Sequence, residues 1–219
     1  MKLRSSLSAV LPEMETEKMP KSGFQAGYAL GFQIGKEDSR RPFNGTSIII
    51  PAHLPGEDVM GTIQKIEALT PHPYELIVAN AGSSEITMQY LQKRTGAVRH
   101  IAARNGEGIA GVLNKAVFAA HGQILAVLIG VSPNTDNWMI DLMLELERES
   151  SVKTIYVRSG NEDVLSRMNV SCFLFRRELL SDIGWWDEGL ATLKESVSEW
   201  LGRIPNQNRI MVEASGRFI

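Results

Sequence analysis

Two apolar runs, Ser47-Ile48-Ile49-Ile50 and Leu76-Ile77-Val78-Ala79, each break straight into small and polar residues. The breaks read Pro51-Ala52-His53-Leu54-Pro55-Gly56 and Asn80-Ala81-Gly82-Ser83-Ser84. Short apolar runs rich in Ile and Val and bounded by turn signals read as strands buried on both faces, the kind found in parallel sheets. Each break is then a loop at the carboxyl end of a strand, the edge where open α/β sheets bind ligands.

The rest of the chain keeps the alternation. Strands are expected at Thr46–Ile50, Tyr74–Ala79, Ala97–Ala102, Gln123–Ile129 and Val152–Val157. Helices are expected near Glu57–Leu69, Ser84–Arg94, Gly108–His121 and Asp136–Glu149. This order predicts an α/β fold, a mostly parallel sheet flanked by helices. After Gly160 the order changes to a strand at Val170–Phe175, a short helix at Arg177–Asp182, a helix at Ala191–Leu201 and a strand at Arg209–Glu213.

With 219 residues and 43% hydrophobic composition, the chain can bury one full core, and we read residues 46–219 as one domain behind a leader of residues 1–45. Its 23 Lys and Arg residues against 25 Asp and Glu residues argue against a nucleic-acid binder, which needs a concentrated basic surface. Cys172, the one cysteine, excludes an intramolecular disulfide and reads as a small buried hydrophobe within Val170–Phe175. The basic start lacks a long apolar stretch, and no run of about 18 apolar residues occurs, so no transmembrane segment is expected and the cytoplasm is the simplest location.

The leader holds a repeat, Gly23-Phe24-Gln25-Ala26-Gly27-Tyr28-Ala29-Leu30-Gly31-Phe32-Gln33-Ile34-Gly35, with glycine at every fourth position. On a helix this places a glycine stripe beside Phe24, Tyr28 and Phe32. Each glycine costs a helix about 1 kcal/mol against alanine, so the segment needs a surface to pack on. Residues 23–35 are therefore expected to pack on the domain, on a second copy or on a partner protein, or else to stay flexible.

Several segments together resemble the inverting glycosyltransferases of family 2. They are Thr46-Ser47-Ile48-Ile49-Ile50-Pro51, Pro73 through Asn80 with Gly82-Ser83-Ser84, Gly108 with Asn114, and Phe175-Arg176-Arg177-Glu178-Leu179-Leu180 through Asp187-Glu188. The resemblance implies the GT-A fold, a Rossmann-like nucleotide-diphospho-sugar transferase architecture. It further implies a UDP- or dTDP-type sugar donor held by Pro51, Ala52, His53, Asn80, Gly82, Ser83, Arg104 and Asn105, and a glycan or other acceptor. Trp185, Trp186, Asp187 and Glu188 fall on the family's acceptor side, where the tryptophans would stack on sugars or pack in the core. Asn80 stands where the family has a base-binding carboxylate; its amide can bind a base or simply cap the strand end.

The family's metal-binding and base carboxylates are replaced. With Trp138 as anchor, the Asp-x-Asp metal position falls on Val131, and no carboxylate occurs between Glu107 and Asp136. Asp136 reads as a helix cap, so no metal ligand is assigned, and Mg²⁺ or Mn²⁺ would require an unconventional site. The position of the general base falls on Ser196, far too weak a base at neutral pH, which leaves Glu195 or Asp187 for that role. Glu195 alternatively complements the dipole of a helix start. Two functions follow: a nucleotide-sugar transferase with reduced or lost activity, or a non-catalytic binding or assembly module built on the same fold.

Overall fold

A computed structural model describes residues 43–54, 57–158 and 170–219. The leader repeat at 23–35 lies outside the described residues. Strand β1 (Phe43–Ala52) is followed by helix α1 (Val59–Leu69), β2 (Tyr74–Asn80), α2 (Glu85–Lys93), β3 (Arg99–Ala102), α3 (Ile109–Ala119) and β4 (Gly122–Leu128). The second part runs α4 (Trp138–Glu147), β5 (Thr154–Arg158), β6 (Val170–Arg176), α5 (Leu179–Ile183), α6 (Leu193–Gly202), a 3₁₀ turn at Asn206–Asn208 and β7 (Arg209–Glu213).

The seven strands form one sheet in the order β3-β2-β1-β4-β6-β5-β7. Only β6 runs against its neighbours, pairing antiparallel with β4 and with β5, while the other pairs are parallel. The expected mostly parallel sheet is therefore present. β1 opens at Phe43, inside the segment read as leader, because Phe43 pairs with Gly122 and its N–H donates to the His121 carbonyl at 3.1 Å.

Alternating side chains of the central strands enter two cores. Ile48, Ile50, Val78, Ala126 and Leu174 meet α1 and α4 on one face, where Trp138 is fully buried. On the other face, Ile49, Ile77, Val127, Phe173 and Phe175 meet α3 and α6. There Trp186 and Trp200 stack with ring centroids 4.6 Å apart, and Trp200 Nε1 donates to the Gly184 carbonyl at 3.0 Å. Cys172 is fully buried in the first core, and burial pushes its thiol far above the ordinary range.

Helix starts follow their sequence signals with one exception. Asp58 and Ser84 cap α1 and α2, accepting from the Gly61 and Thr87 N–H groups. The expected cap at Asp136 is displaced: α4 begins at Trp138, its cap position is Asn137, and no side chain closes it. Asp136 is exposed.

Candidate functional site

The carboxyl ends of β1, β2, β3 and β4 lie side by side, so four loops share one edge. The first loop is closed by Glu57, whose Oε2 accepts from the backbone N–H groups of His53 at 2.8 Å and Leu54 at 3.1 Å. Its Oε1 sits 2.8 Å from His53 Nδ1. Burial raises the Glu57 carboxyl, but these bonds outweigh it and hold it below the usual value. The sequence marked Glu57 only as a helix start; its function as the clasp that fixes His53 carries no motif.

Asn80 closes the second loop. Its Oδ1 accepts from Gly82 N at 3.1 Å and Ser83 N at 2.9 Å, an Asx turn that a carboxylate would also support. Its Nδ2 faces Met88 Sδ and His100 Nε2, the latter at 3.3 Å, so both ends of the amide are engaged. His100 comes into range because β3 pairs in parallel beside β2, a proximity no local spacing reveals. Burial lowers the His100 pKa and favours the neutral ring.

The loops are knitted together. Ala81 N donates to Ala52 O and Ala103 N to Asn80 O, each at 2.8 Å. A side chain at Gly82, whose φ is +154°, would press on the His53 carbonyl at 3.1 Å. Beside this contact, Ser83 Oγ is enclosed with no hydrogen-bond partner among the described residues.

In the third loop, Arg104 and Asn105 are exposed, and Gly106 takes φ +77°. Glu107 accepts from Arg104 N at 2.7 Å and from Lys115 Nζ at 2.6 Å, and the lysine bond in particular lowers its pKa. Gly108, at the cap of α3, offers no side-chain bond, leaving the first N–H groups of that helix open to an anion.

The fourth loop turns at Gly130, φ +62°, and brings Val131 and Ser132 against α1. Ser132 Oγ lies 2.8 Å from Thr62 Oγ1. A strap from further along the chain fixes the loop's outer side: Ser132 and Ile219 exchange backbone bonds of 2.8 and 3.0 Å, and Asn134 N donates to Arg217 O at 2.8 Å. Between β1, α1 and this loop opens a cleft of about 700 Å³ lined by Pro51, Leu54, Glu57, Thr62, Lys65 and Val131, among others.

The described residues at this edge do not form a site for a divalent cation. Val131, the expected metal position, offers no side-chain ligand atom, Glu57 is bound in its clasp, and Asp58 caps α1. Among the described residues no group of three His, Cys, Asp or Glu side chains is placed to hold a metal.

The second part climbs back along α3. Asn114 clamps the turn after α5: its Nδ2 donates to Trp186 O at 3.0 Å and Glu188 Oε1 at 2.9 Å, and its Oδ1 accepts from Trp186 N at 3.0 Å. Trp186 is buried at 2% exposure, whereas Trp185 is 43% exposed. Asp187 is exposed and accepts from Gly189 N at 2.9 Å. At the start of α6, Glu195 forms a capping box with Thr192, its Oε2 accepting from Thr192 N and Oγ1 at 3.1 and 2.9 Å. Ser196, fully buried, donates to the Thr192 carbonyl at 2.8 Å.

The model of Glycosyl transferase family 2 matches residues 47–169, and the chain belongs to that family. Solved structures share its GT-A architecture at low identity. The S. aureus TarS 1–349 structure superposes with a TM-score of 0.61 at 14% identity, over 80% of this chain and 59% of that one. The mannosyltransferase PcManGT from Pyrobaculum calidifontis, solved in complex with GDP-Man and Mn²⁺, gives 0.61 at 15% identity, over 86% and 63%. A mycobacterial protein gives 0.56 at 16% identity, over 78% and 65%. The chain thus spans about three fifths of the length of TarS 1–349 and PcManGT. No curated protein matches it in sequence.

Proposed function

We propose that this chain is a nucleotide-sugar-dependent glycosyltransferase whose donor, of UDP or dTDP type, lies across the loops that end β1 to β4. The observation that carries the reading is the prepared edge in a family-2 chain. Glu57 and Asn80 hold the first two loops by side-chain bonds, Ser83 Oγ waits unpartnered between them, and the cleft of about 700 Å³ opens beside them. Pro51, His53, Gly82 and Ser83 contact the nucleoside, while Ala52, fully buried, supports the loop through its carbonyl. Arg104, Asn105 and the α3 N–H groups face the diphosphate. Asn80 acts through the turn it builds, since both ends of its amide are engaged.

The acceptor hydroxyl attacks the anomeric carbon and loses its proton to a carboxylate, and the nucleoside diphosphate departs with the bonding electron pair. Glu195 is the stronger candidate for that base, because its capping box fixes it at the amino end of α6. Asp187, which lines a groove beside Trp185, is left to acceptor binding. No step is assigned to a metal ion, since Val131, the expected ligand position, offers no side-chain ligand atom.

Calorimetry with UDP and UDP-sugars, with Mn²⁺ and with EDTA, tests the donor reading, and a transfer assay tests activity. Equal binding in Mn²⁺ and EDTA is expected; absence of binding to every nucleotide sinks it. A second reading, a non-catalytic module on the same fold, is favoured by Val131 and by Ser196, whose hydroxyl is buried in a backbone bond. Nucleotide binding without transfer or donor hydrolysis would support it.

A further inference from the structure

Phe118 and Trp185 are the two most exposed aromatic side chains among the described residues, at 81% and 43%, and they are neighbours with ring centroids 6.5 Å apart. Phe118 sits in the last turn of α3, about 14 Å along the helix from Ile109 at 1.5 Å per residue, so the pair lies well below the loop edge. An open groove of about 620 Å³ runs past them, walled by Asn114, Lys115, Asp187 and Glu188, with the buried Trp186 beneath. We propose that this groove is a second, non-catalytic subsite for a neutral oligosaccharide, holding a distal part of a glycan acceptor.

Four observations favour that occupant. The two rings are tilted by 48° to each other, offering separate apolar faces for the C–H faces of successive sugars. The platform is rigid: Arg203 donates to the Ile183 and Trp185 carbonyls at 2.7 and 2.8 Å, and Asn114 clamps the next residue on both sides. Charge excludes an anion, since Lys115 is paired with Glu107 while Asp187 and Glu188 stand exposed on the rim. Covering those carboxylates with an apolar protein surface would carry a desolvation penalty, whereas sugar hydroxyls donate to them. Finally, Trp186, which lines the groove, keeps its buried Nε1 without a hydrogen-bond partner among the described residues, an unusual state for an indole.

Along α3 the groove is lined from Phe118 to Asn114, with Asp187 and Glu188 on its rim. A glycan seated on Phe118 and Trp185 would be long enough to fill several sugar positions, so the acceptor class it implies is an oligosaccharide. The choice of a sugar as occupant rests on the transferase reading, and the test separates the two. The full chain is titrated with cello-, malto-, chito- and manno-hexaose, followed by tryptophan fluorescence and by NMR of the indole N–H signals, while UDP binding is read by calorimetry.

At least one hexaose is expected to bind, with Trp185→Ala and Phe118→Ala each weakening it about tenfold and leaving UDP binding unchanged. Both residues lie outside the cores, so circular dichroism should stay at the parent spectrum. Equal glycan binding by parent and variants overturns the proposal, as does silence of all four glycans in a chain that binds UDP. Loss of self-association in Phe118→Ala on sedimentation, without a glycan effect, would overturn it in favour of a second copy as occupant. Failure of UDP binding in the parent removes the transferase reading itself and the proposal with it.

Discussion

Glu75 shows how one side chain can hold an edge of the sheet together. Its Oε1 accepts from Ser47 Oγ at 2.6 Å and from the His121 N–H, and Oε2 lies 3.1 Å from His121 Nδ1. Burial raises its pKa, but these hydrogen bonds prevail and the net shift is downward. A folded-state value below the unfolded one stabilises fully above the unfolded value, about 4.3, and the gain is lost as pH falls through the folded value. Urea midpoints should therefore fall as pH drops below that range, and Glu75→Gln should flatten the dependence. Asn114 offers a second case. Asn114→Ala removes three bonds to the Trp186–Glu188 turn and should cost about 1–3 kcal/mol, read as a thermal midpoint lowered by a few degrees. Asn114 was legible in the sequence as part of a family pattern. Glu57, His100 and Phe118 were not, because their roles arise from a clasp within a loop, a neighbouring strand and an exposed helix end.

At the scale of elements, β1 and β4 approach each other closely at Gly122. A methyl group on Gly122 would meet Ser47 N and Oγ at 2.7 Å and the Gly45 carbonyl at 2.8 Å. Gly122→Ala should thus force the strands apart and cost about 1–3 kcal/mol in denaturant unfolding, although it only adds a methyl group. Thr192→Ala should open the capping box of α6, lowering stability by about 1 kcal/mol. If Glu195 is the base, the same substitution should reduce kcat in the transfer assay while UDP affinity holds. Element order was readable because β-branched runs and helical segments alternate with turn signals. The direction of β6 was not, since an antiparallel return between two parallel neighbours leaves no mark on its own residues. The unclosed start of α4 escaped for a similar reason: Asp136 has the chemistry of a cap but stands one residue too early.

Across the whole molecule, the two cores divide the labour. The α3 and α6 side is dominated by aromatic packing, with Phe175 and Trp200 centroids 5.0 Å apart and Trp200 fully buried. Trp200→Ala should cost about 3–5 kcal/mol and reduce soluble yield, a result that distinguishes this tryptophan from the exposed Trp185. The fold was legible from strand runs and family segments together, while the candidate chemistry rested on the resemblance alone, which leads one to expect carboxylates at Val131 and Ser196. The strap on the fourth loop bears on folding in time. Asn134 Nδ2 donates to Gly216 O across 82 positions, and the backbone bonds of Ser132 wait on Ile219. Closing so long a span is entropically costly, so strands β1 to β6 can pair during synthesis before β7 joins and this rim takes shape. The nascent chain would acquire its scaffold first and its binding mouth only once residues 216–219 have emerged.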